Sequence, residues 1–175
     1  MDIQNLDHFA KFNLPVKFDI DPDDLEDKYL NFQLKFHPDK LISDPDSEDK
    51  IKSSIAINEA YQILQNPINR AEYILKLNGI TIDNESKDLN KNLAPIKPTQ
   101  KTLEEILLLQ EQIEELKNQE QILELKTTLE SQIKAILEKI SKLLDTRQFS
   151  SAATTLIKAK YLEKSRLVLK SKILK

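Results

Sequence analysis

The chain has 175 residues, of which 31% are charged and 39% hydrophobic, and its net charge is −3. The apolar residues suffice for a hydrophobic core, which excludes wholesale disorder. The absence of cysteine excludes disulfides, thiol nucleophiles, zinc fingers and cysteine-ligated iron–sulfur clusters held by this chain alone. The weakly acidic balance argues against general affinity for nucleic acids.

The N-terminal residues and the hydropathy of the chain indicate the cellular location of the protein. No apolar run reaches the length that a membrane-spanning helix needs. Residues 1–5 are acidic and polar, unlike a secretory signal or an Arg-rich transit peptide. We therefore expect a cytoplasmic, bacterial protein that has no membrane partner.

The first 79 residues predict a series of helices. Asp21-Pro22 is a typical helix start, because Asp can cap a helix and Pro suits its first position. One apolar face follows, made of Leu25, Tyr29, Phe32 and Phe36. A second long helix is predicted from about Ser47 to Gln65, with an inward stripe that includes Ile51, Ile55, Ala56, Ala60, Ile63 and Leu64. Two such helices joined by a short loop must pack antiparallel to bury their stripes.

The loop between these two helices contains His37-Pro38-Asp39-Lys40. A proline alone would end the first helix, and nothing in that role requires the flanking His and Asp. On this triplet and its position, the N-terminal part resembles the J domain of DnaJ-type co-chaperones. The resemblance implies that the triplet makes an ATP-driven chaperone of the DnaK/HscA type hydrolyse its ATP. It also gives a docking role to Lys28, Lys35 and Lys40, which would otherwise be ordinary solvated lysines.

The remainder of the chain predicts a linker and a helical bundle. Residues 79–98 are polar and show no helical period, whereas residues 99–175 contain neither Pro nor Gly and are typical of nearly continuous helix. We predict an all-α protein with a J domain at 1–78, built from an antiparallel helical hairpin plus short helices. A linker at 79–98 and a C-terminal three-helix bundle at 99–175 complete it.

The first bundle helix carries apolar residues on two sides. One stripe, suited to the bundle core, consists of Ile106, Leu109, Ile113 and Leu116. Leu103, Leu107 and Leu108 fall on roughly the opposite side, among glutamates. Such a cluster is typical of a protein-docking surface unless another helix covers it. In the last helix, Ile157, Tyr161 and Val168 lie off the inward stripe and could border the same surface.

A J domain followed by a linker and a bundle of this size resembles the HscB type of J-protein, the co-chaperone of iron–sulfur cluster assembly. The shared stretches are Leu14-Pro15, Ile57-Asn58-Glu59-Ala60-Tyr61 and Arg70-Ala71-Glu72-Tyr73, the last of them after Asn66-Pro67. The resemblance implies that the bundle binds an IscU-type scaffold protein, on which clusters are built. The implied scaffold-binding residues are Leu103, Glu104, Leu107, Leu108, Glu111, Glu115 and Tyr161.

No catalytic site, metal site or cofactor is predicted, because two separated histidines leave no converging nucleophile, base and orienting group. Two other functions remain open at this point. The protein could be a J-protein for general unfolded clients, or a helical adaptor without a chaperone partner.

Overall fold

The computed structural model describes residues 3–35, 47–82 and 94–173, and of residues 35, 47 and 94 it describes the backbone only. The chain divides into two compact units, Met1–Tyr73 and Ile74–Lys175. After a 3-10 turn at Ile3–Asn5, the elements are α1 (His8–Lys11), α2 (Pro22–Lys35), α3 (Ser47–Gln65), α4 (Pro67–Leu77), β1 (Ile80–Thr81), β2 (Ala94–Pro95), α5 (Gln100–Glu115), α6 (Gln119–Asp145) and α7 (Phe149–Ile173). The described residues confirm the prediction of an all-α fold.

The first unit is built on the antiparallel pair α2 and α3. The ring of Tyr29 in α2 stacks on that of Tyr61 in α3, with 3.9 Å between the centroids. The amide oxygen of Asn58 accepts hydrogen bonds from the Tyr29 hydroxyl at 3.1 Å and from Gln33 Nε2 at 2.6 Å. Residue numbers therefore rise along one helix as they fall along the other, which confirms the predicted antiparallel hairpin.

The inward face of α3 differs from the predicted stripe. The buried residues are Ile57, Ala60 and Leu64, spaced three and four apart, whereas Ile51 and Ile55 are exposed. At 100° per residue these two isoleucines lie on the far side of the helix from the buried set, so the predicted stripe mixed two faces. The rest of this core is aromatic and aliphatic: Phe9, Phe12, Phe18, Leu25, Ile68 and Ala71.

Arg70 of α4 ties the end of α3 to the core. Its Nη1 donates a hydrogen bond to the carbonyl oxygen of Leu64, one of the last carbonyls of α3. Its guanidinium lies over the ring of Phe18, 5.2 Å from the centroid. Burial lowers the pKa of Arg70 below its ordinary value, although the group stays charged. Arg70 is thus a structural cation that closes the α3–α4 corner.

The second unit contains the three long helices in an up, down, up arrangement. Thr99 caps α5 by accepting from the amide of Thr102, and Asn118 caps α6 by accepting from that of Glu120. Glu105 pairs with Lys158, and further along α5 the carbonyl of Ile113 accepts from Lys172. Residue numbers rise together along α5 and α7 in these two contacts, so the two helices run parallel. Helix α6, which connects them in the chain, runs antiparallel to both. The bundle core is aliphatic and is formed by Ile113, Ile122, Leu129, Ile133, Leu162 and Leu169.

The segment before the bundle is described on both sides of residues 83–93. Gly79 follows α4 with φ of 79°, the left-handed conformation that favours glycine at a helix end. The chain then forms β1, which pairs in parallel with β2, and the amide of Ile96 donates to the carbonyl of Thr81 at 2.8 Å. This two-residue ladder was not expected from a polar stretch without a period, since a pairing of residues fourteen apart leaves no local signal.

Candidate functional site

Helix α5 exposes large apolar side chains next to buried ones. Ile106 and Ile113 are 9% and 4% exposed, whereas Leu107 and Leu108 are 57% and 65% exposed. Leu103 lies one turn before Leu107 and is also exposed. The predicted division of this helix into a core stripe and an outward leucine face is therefore confirmed. We call Leu103, Leu107 and Leu108 the leucine face.

Carboxylates surround the leucine face. Glu104, Glu111 and Glu115 are all exposed on the same side of α5. Glu104 accepts a hydrogen bond from Gln100 at 3.0 Å, whereas Glu111 and Glu115 have no ion pair with any described residue. Their charges are therefore available to a partner, and the surface suits an apolar side chain flanked by cations.

Tyr161 of α7 lies near α5, the helix that carries the leucine face. It shares the lining of a cavity of about 320 Å³ with Gln110 and Glu114 of α5. Gln110 is three residues after Leu107 and seven after Leu103, so the three share one flank of the helix. The structure thus brings Tyr161 close to Gln110, which lies on the same flank of α5 as Leu103 and Leu107.

A second cavity, of about 340 Å³, also has Tyr161 in its lining. We call it the tyrosine cavity, and it is lined by Ile82, Pro98, Ile157, Lys160, Tyr161 and Lys164. Ile157 is buried, so the expectation that this residue borders the exposed surface was wrong. The error arose because α7 is packed on one side by α6 and on another by α5 and the β1 segment, which covers more of the helix than one stripe.

In the described part of the chain, no three His, Cys, Asp or Glu side chains are grouped so that they could hold a metal ion. No described helix is both long and apolar enough to cross a membrane.

Comparisons with known proteins cover both units. The family described as the HSCB C-terminal oligomerisation domain matches residues 99–170, and the DnaJ domain family matches residues 13–73. The co-chaperone protein HscB of Proteus mirabilis (strain HI4320) is 34% identical over 162 residues, which cover 91% of either chain. The chain belongs to the HscB family of co-chaperones.

Further members of the HscB family agree with this assignment. HscB of Buchnera aphidicola is 45% identical over 89 residues, half of this chain. Among solved structures, HscB from Vibrio cholerae has a TM-score of 0.80 at 25% identity and covers 95% of this chain and 96% of its own. Human HscB has a TM-score of 0.83 at 24% identity over 96% of this chain and 82% of its own, and supports the fold.

The predicted chaperone-binding residues of this HscB-family protein are only partly described. Lys28 lies on α2 and forms an ion pair of 2.7 Å with Asp24, one turn earlier. His37, Pro38, Asp39 and Lys40, as well as the side chain of Lys35, lie outside the described residues. Their role in this chain stays a prediction.

Sequence reasoning missed the lysines beside Tyr161 and the residues that face them from the linker. Ile82 and Pro98 join the lining of the tyrosine cavity from positions more than fifty residues away from Lys160 and Lys164. No local pattern marks such a combination. The excess of basic residues near the end of the chain was visible, but it did not indicate which of them border a cavity.

Proposed function

We propose that this co-chaperone binds an iron–sulfur scaffold protein of the IscU type through its bundle. In the same proposal it delivers the scaffold to an ATP-driven chaperone of the DnaK/HscA type, whose ATPase it stimulates through the His37-Pro38-Asp39 loop. The observation that carries the proposal is the leucine face of α5, rimmed by unpaired carboxylates. Membership of the HscB family and the match to the DnaJ domain support it.

The exposed apolar area of the leucine face is the physical reason to place scaffold binding on the bundle. Three leucines exposed within two turns of one helix leave apolar surface in water that a partner could bury, at about 25 cal/mol per Å². Glu111 and Glu115 would then meet cations at the rim, which mainly accelerates association and excludes acidic partners. An IscU-type protein that presents apolar side chains among basic ones fits this surface.

Scaffold binding is tested by titration of the full chain with the IscU-type protein of the same organism. We expect Leu107→Ala and Leu108→Ala each to weaken binding by about 1–2 kcal/mol or more, as for an interface hot spot. The matched control is Leu123→Ala, since Leu123 of α6 is 55% exposed, close to the value for Leu107, but lies on another helix. Equal losses of affinity for Leu107→Ala and Leu123→Ala would remove the leucine face from the proposal.

Chaperone stimulation is tested by the ATPase rate of the DnaK/HscA-type partner. We expect His37→Gln and Asp39→Asn to abolish stimulation while scaffold binding and helix content stay unchanged, because an exposed polar loop residue leaves no cavity when replaced. Full stimulation by both variants would contradict the J-domain mechanism. Capture of unfolded chains in place of the scaffold would instead favour a general J-protein.

A further inference from the structure

The leucine face is present on every copy of the chain, so two copies could bury it against each other. Leu103, Leu107 and Leu108 are all exposed within two turns of α5. Exposed apolar side chains that are grouped in this way favour self-association unless other residues of the same surface oppose it. Whether two copies pair therefore depends on the charges that lie among the leucines.

Three exposed carboxylates lie among the leucines on the helical wheel of α5. We call Glu104, Glu111 and Glu115 the carboxylate row. At about 100° per residue, all three fall in the arc between Leu107 and Leu108. Helix α5 as a whole contains five glutamates and one lysine, so its exposed side is negatively charged in every copy.

We infer that the carboxylate row excludes a second copy of this chain from the leucine face. In a parallel pair of α5 helices, each carboxylate of the row lies opposite its own counterpart. In an antiparallel pair in which Leu107 meets Leu108, Glu104 lies opposite Glu111, because Glu104 is three residues before Leu107 and Glu111 is three residues after Leu108. Both pairings therefore place like charges opposite each other.

These like charges act at short range. The axes of packed helices lie about 8–10 Å apart, so facing carboxylates come closer together than the screening length of about 8 Å at physiological salt. Like charges in such positions suppress unwanted partners, whereas a partner with basic side chains meets no repulsion. The leucines thus provide the apolar contact, and the carboxylate row restricts this contact to an unlike chain. The inference goes beyond the proposed function, because it concerns a second copy and does not depend on the scaffold.

Sedimentation of the full chain without any scaffold tests the inference. The neutralised variant carries Gln at the carboxylate row, which preserves the size of the side chains and removes three negative charges. We expect it to self-associate about tenfold or more tightly than the unaltered protein at physiological salt. The matched control removes three charges at exposed positions of α6 and should change self-association by about twofold at most; its substitutions are Glu120→Gln, Glu124→Gln and Glu138→Gln. Equal self-association of the two variants, or none in either, would overturn the inference.

Substitution of the leucines identifies the surface at which two copies meet. Leu107→Ala with Leu108→Ala, added to the neutralised variant, should return its self-association to the level of the unaltered protein. Both side chains are exposed, so the loss cannot be attributed to a cavity in the bundle core. If the tighter self-association persists, the copies meet at another surface and the inference is overturned.

A charge-reversed variant separates electrostatic repulsion from a general loss of solubility. Lys in place of Glu at all three positions of the carboxylate row again gives like charges in every copy, so this variant alone should stay as unassociated as the unaltered protein. A mixture of the two proteins places opposite charges across the leucine faces and should contain a mixed dimer. Self-association of the charge-reversed variant as tight as that of the neutralised one, or the absence of a mixed dimer, would overturn the inference.

Discussion

The two units build their cores from different residues. Five of the six phenylalanines and three of the four tyrosines lie in residues 1–73. Several of the described rings there contact each other, as in the edge-on pair of Phe12 and Phe32 at 5.9 Å. In the second unit the buried residues are Ile, Leu and Ala along three long helices. The described aromatic residues of the first unit are therefore part of its packing, whereas Tyr161 lies outside the aliphatic core cluster of the second and is the tyrosine that we propose contacts a partner.

Both units contain paired charges, such as Glu105–Lys158 in the second, but Glu111 and Glu115 beside the leucine face are not among them. In the first unit the guanidinium of Arg70 is held by a carbonyl and a ring, and Lys28 is paired with Asp24. In the second, Glu111, Glu115 and Lys164 have no ion pair with a described residue. Charges that are satisfied locally stabilise the unit that holds them, and charges left unpaired beside exposed leucines are free to select a partner.

The largest expected effect on stability distinguishes a buried residue of α5 from an exposed one. Ile113→Ala should lower the free energy of unfolding by about 2–5 kcal/mol, because it leaves a cavity in the bundle core. Leu107→Ala should change it by no more than about 0.5 kcal/mol, because its side chain is exposed. Thermal unfolding followed by circular dichroism measures both. A large loss for Leu107→Ala would place that leucine in the core and contradict its role as a docking residue.

The second prediction compares tyrosines of the two units. Tyr29→Ala removes a stacked ring and the hydrogen bond to Asn58, and should cost about 1–3 kcal/mol of stability. Tyr161→Ala should cost less than Tyr29→Ala and should instead weaken scaffold binding. Chemical denaturation and scaffold titration of both variants decide the point. If Tyr161→Ala is the more destabilising of the two and binds the scaffold normally, the distinction between packing and docking aromatics fails.

The third prediction concerns the cationic face of α2. Reversal of Lys28 and Lys35 to Glu should slow association with the chaperone a few-fold at low salt, and the difference should shrink at high salt. The effect is limited because Lys28 already shares its charge with Asp24 at 2.7 Å. Stopped-flow association at two ionic strengths measures it, with Lys50→Glu and Lys52→Glu of α3 as the matched control. Identical rates for the unaltered protein and the α2 variant at low salt would leave these lysines without a docking role.

Hydrophobic periodicity and the residues typical of helix boundaries predict much of the fold for definite physical reasons. Asp21-Pro22 and Pro67 begin helices where expected, and the stripe with Ile106 and Ile113 is buried, because each depends only on neighbours along one helix. Ile55 and Ile157 were misplaced because their burial depends on which neighbouring elements pack against α3 and α7. The leucine face could be predicted from one helical wheel, whereas the tyrosine cavity required the contact between α7 and a distant linker.

The smallest expected effect concerns the ion pairs on the surface of the bundle. Arg166 donates to both carboxylate oxygens of Glu163, at 2.8 and 2.7 Å, and lies 3.4 Å from a carboxylate oxygen of Glu130 on α6. The hydrogen bonds from Arg166 hold the pKa of Glu163 below its ordinary value. A carboxyl whose pKa is depressed by folding stabilises the folded state above its unfolded pKa of about 4.3, and this contribution is lost as the pH falls through the lower, folded value.

Glu163→Gln should therefore remove up to about 1 kcal/mol of stability at neutral pH, the range for a partly exposed ion pair, and less in strong acid. The plot of stability against pH should fall less steeply below about pH 5 than that of the unaltered protein. Glu111→Gln is the matched control, because Glu111 has no ion pair among the described residues. This substitution should leave the fall in stability below about pH 5 unchanged. If the stability of the two variants falls equally below about pH 5, the pair of Arg166 and Glu163 contributes nothing to the stability of the bundle. Denaturant unfolding between neutral pH and about pH 3 measures the difference.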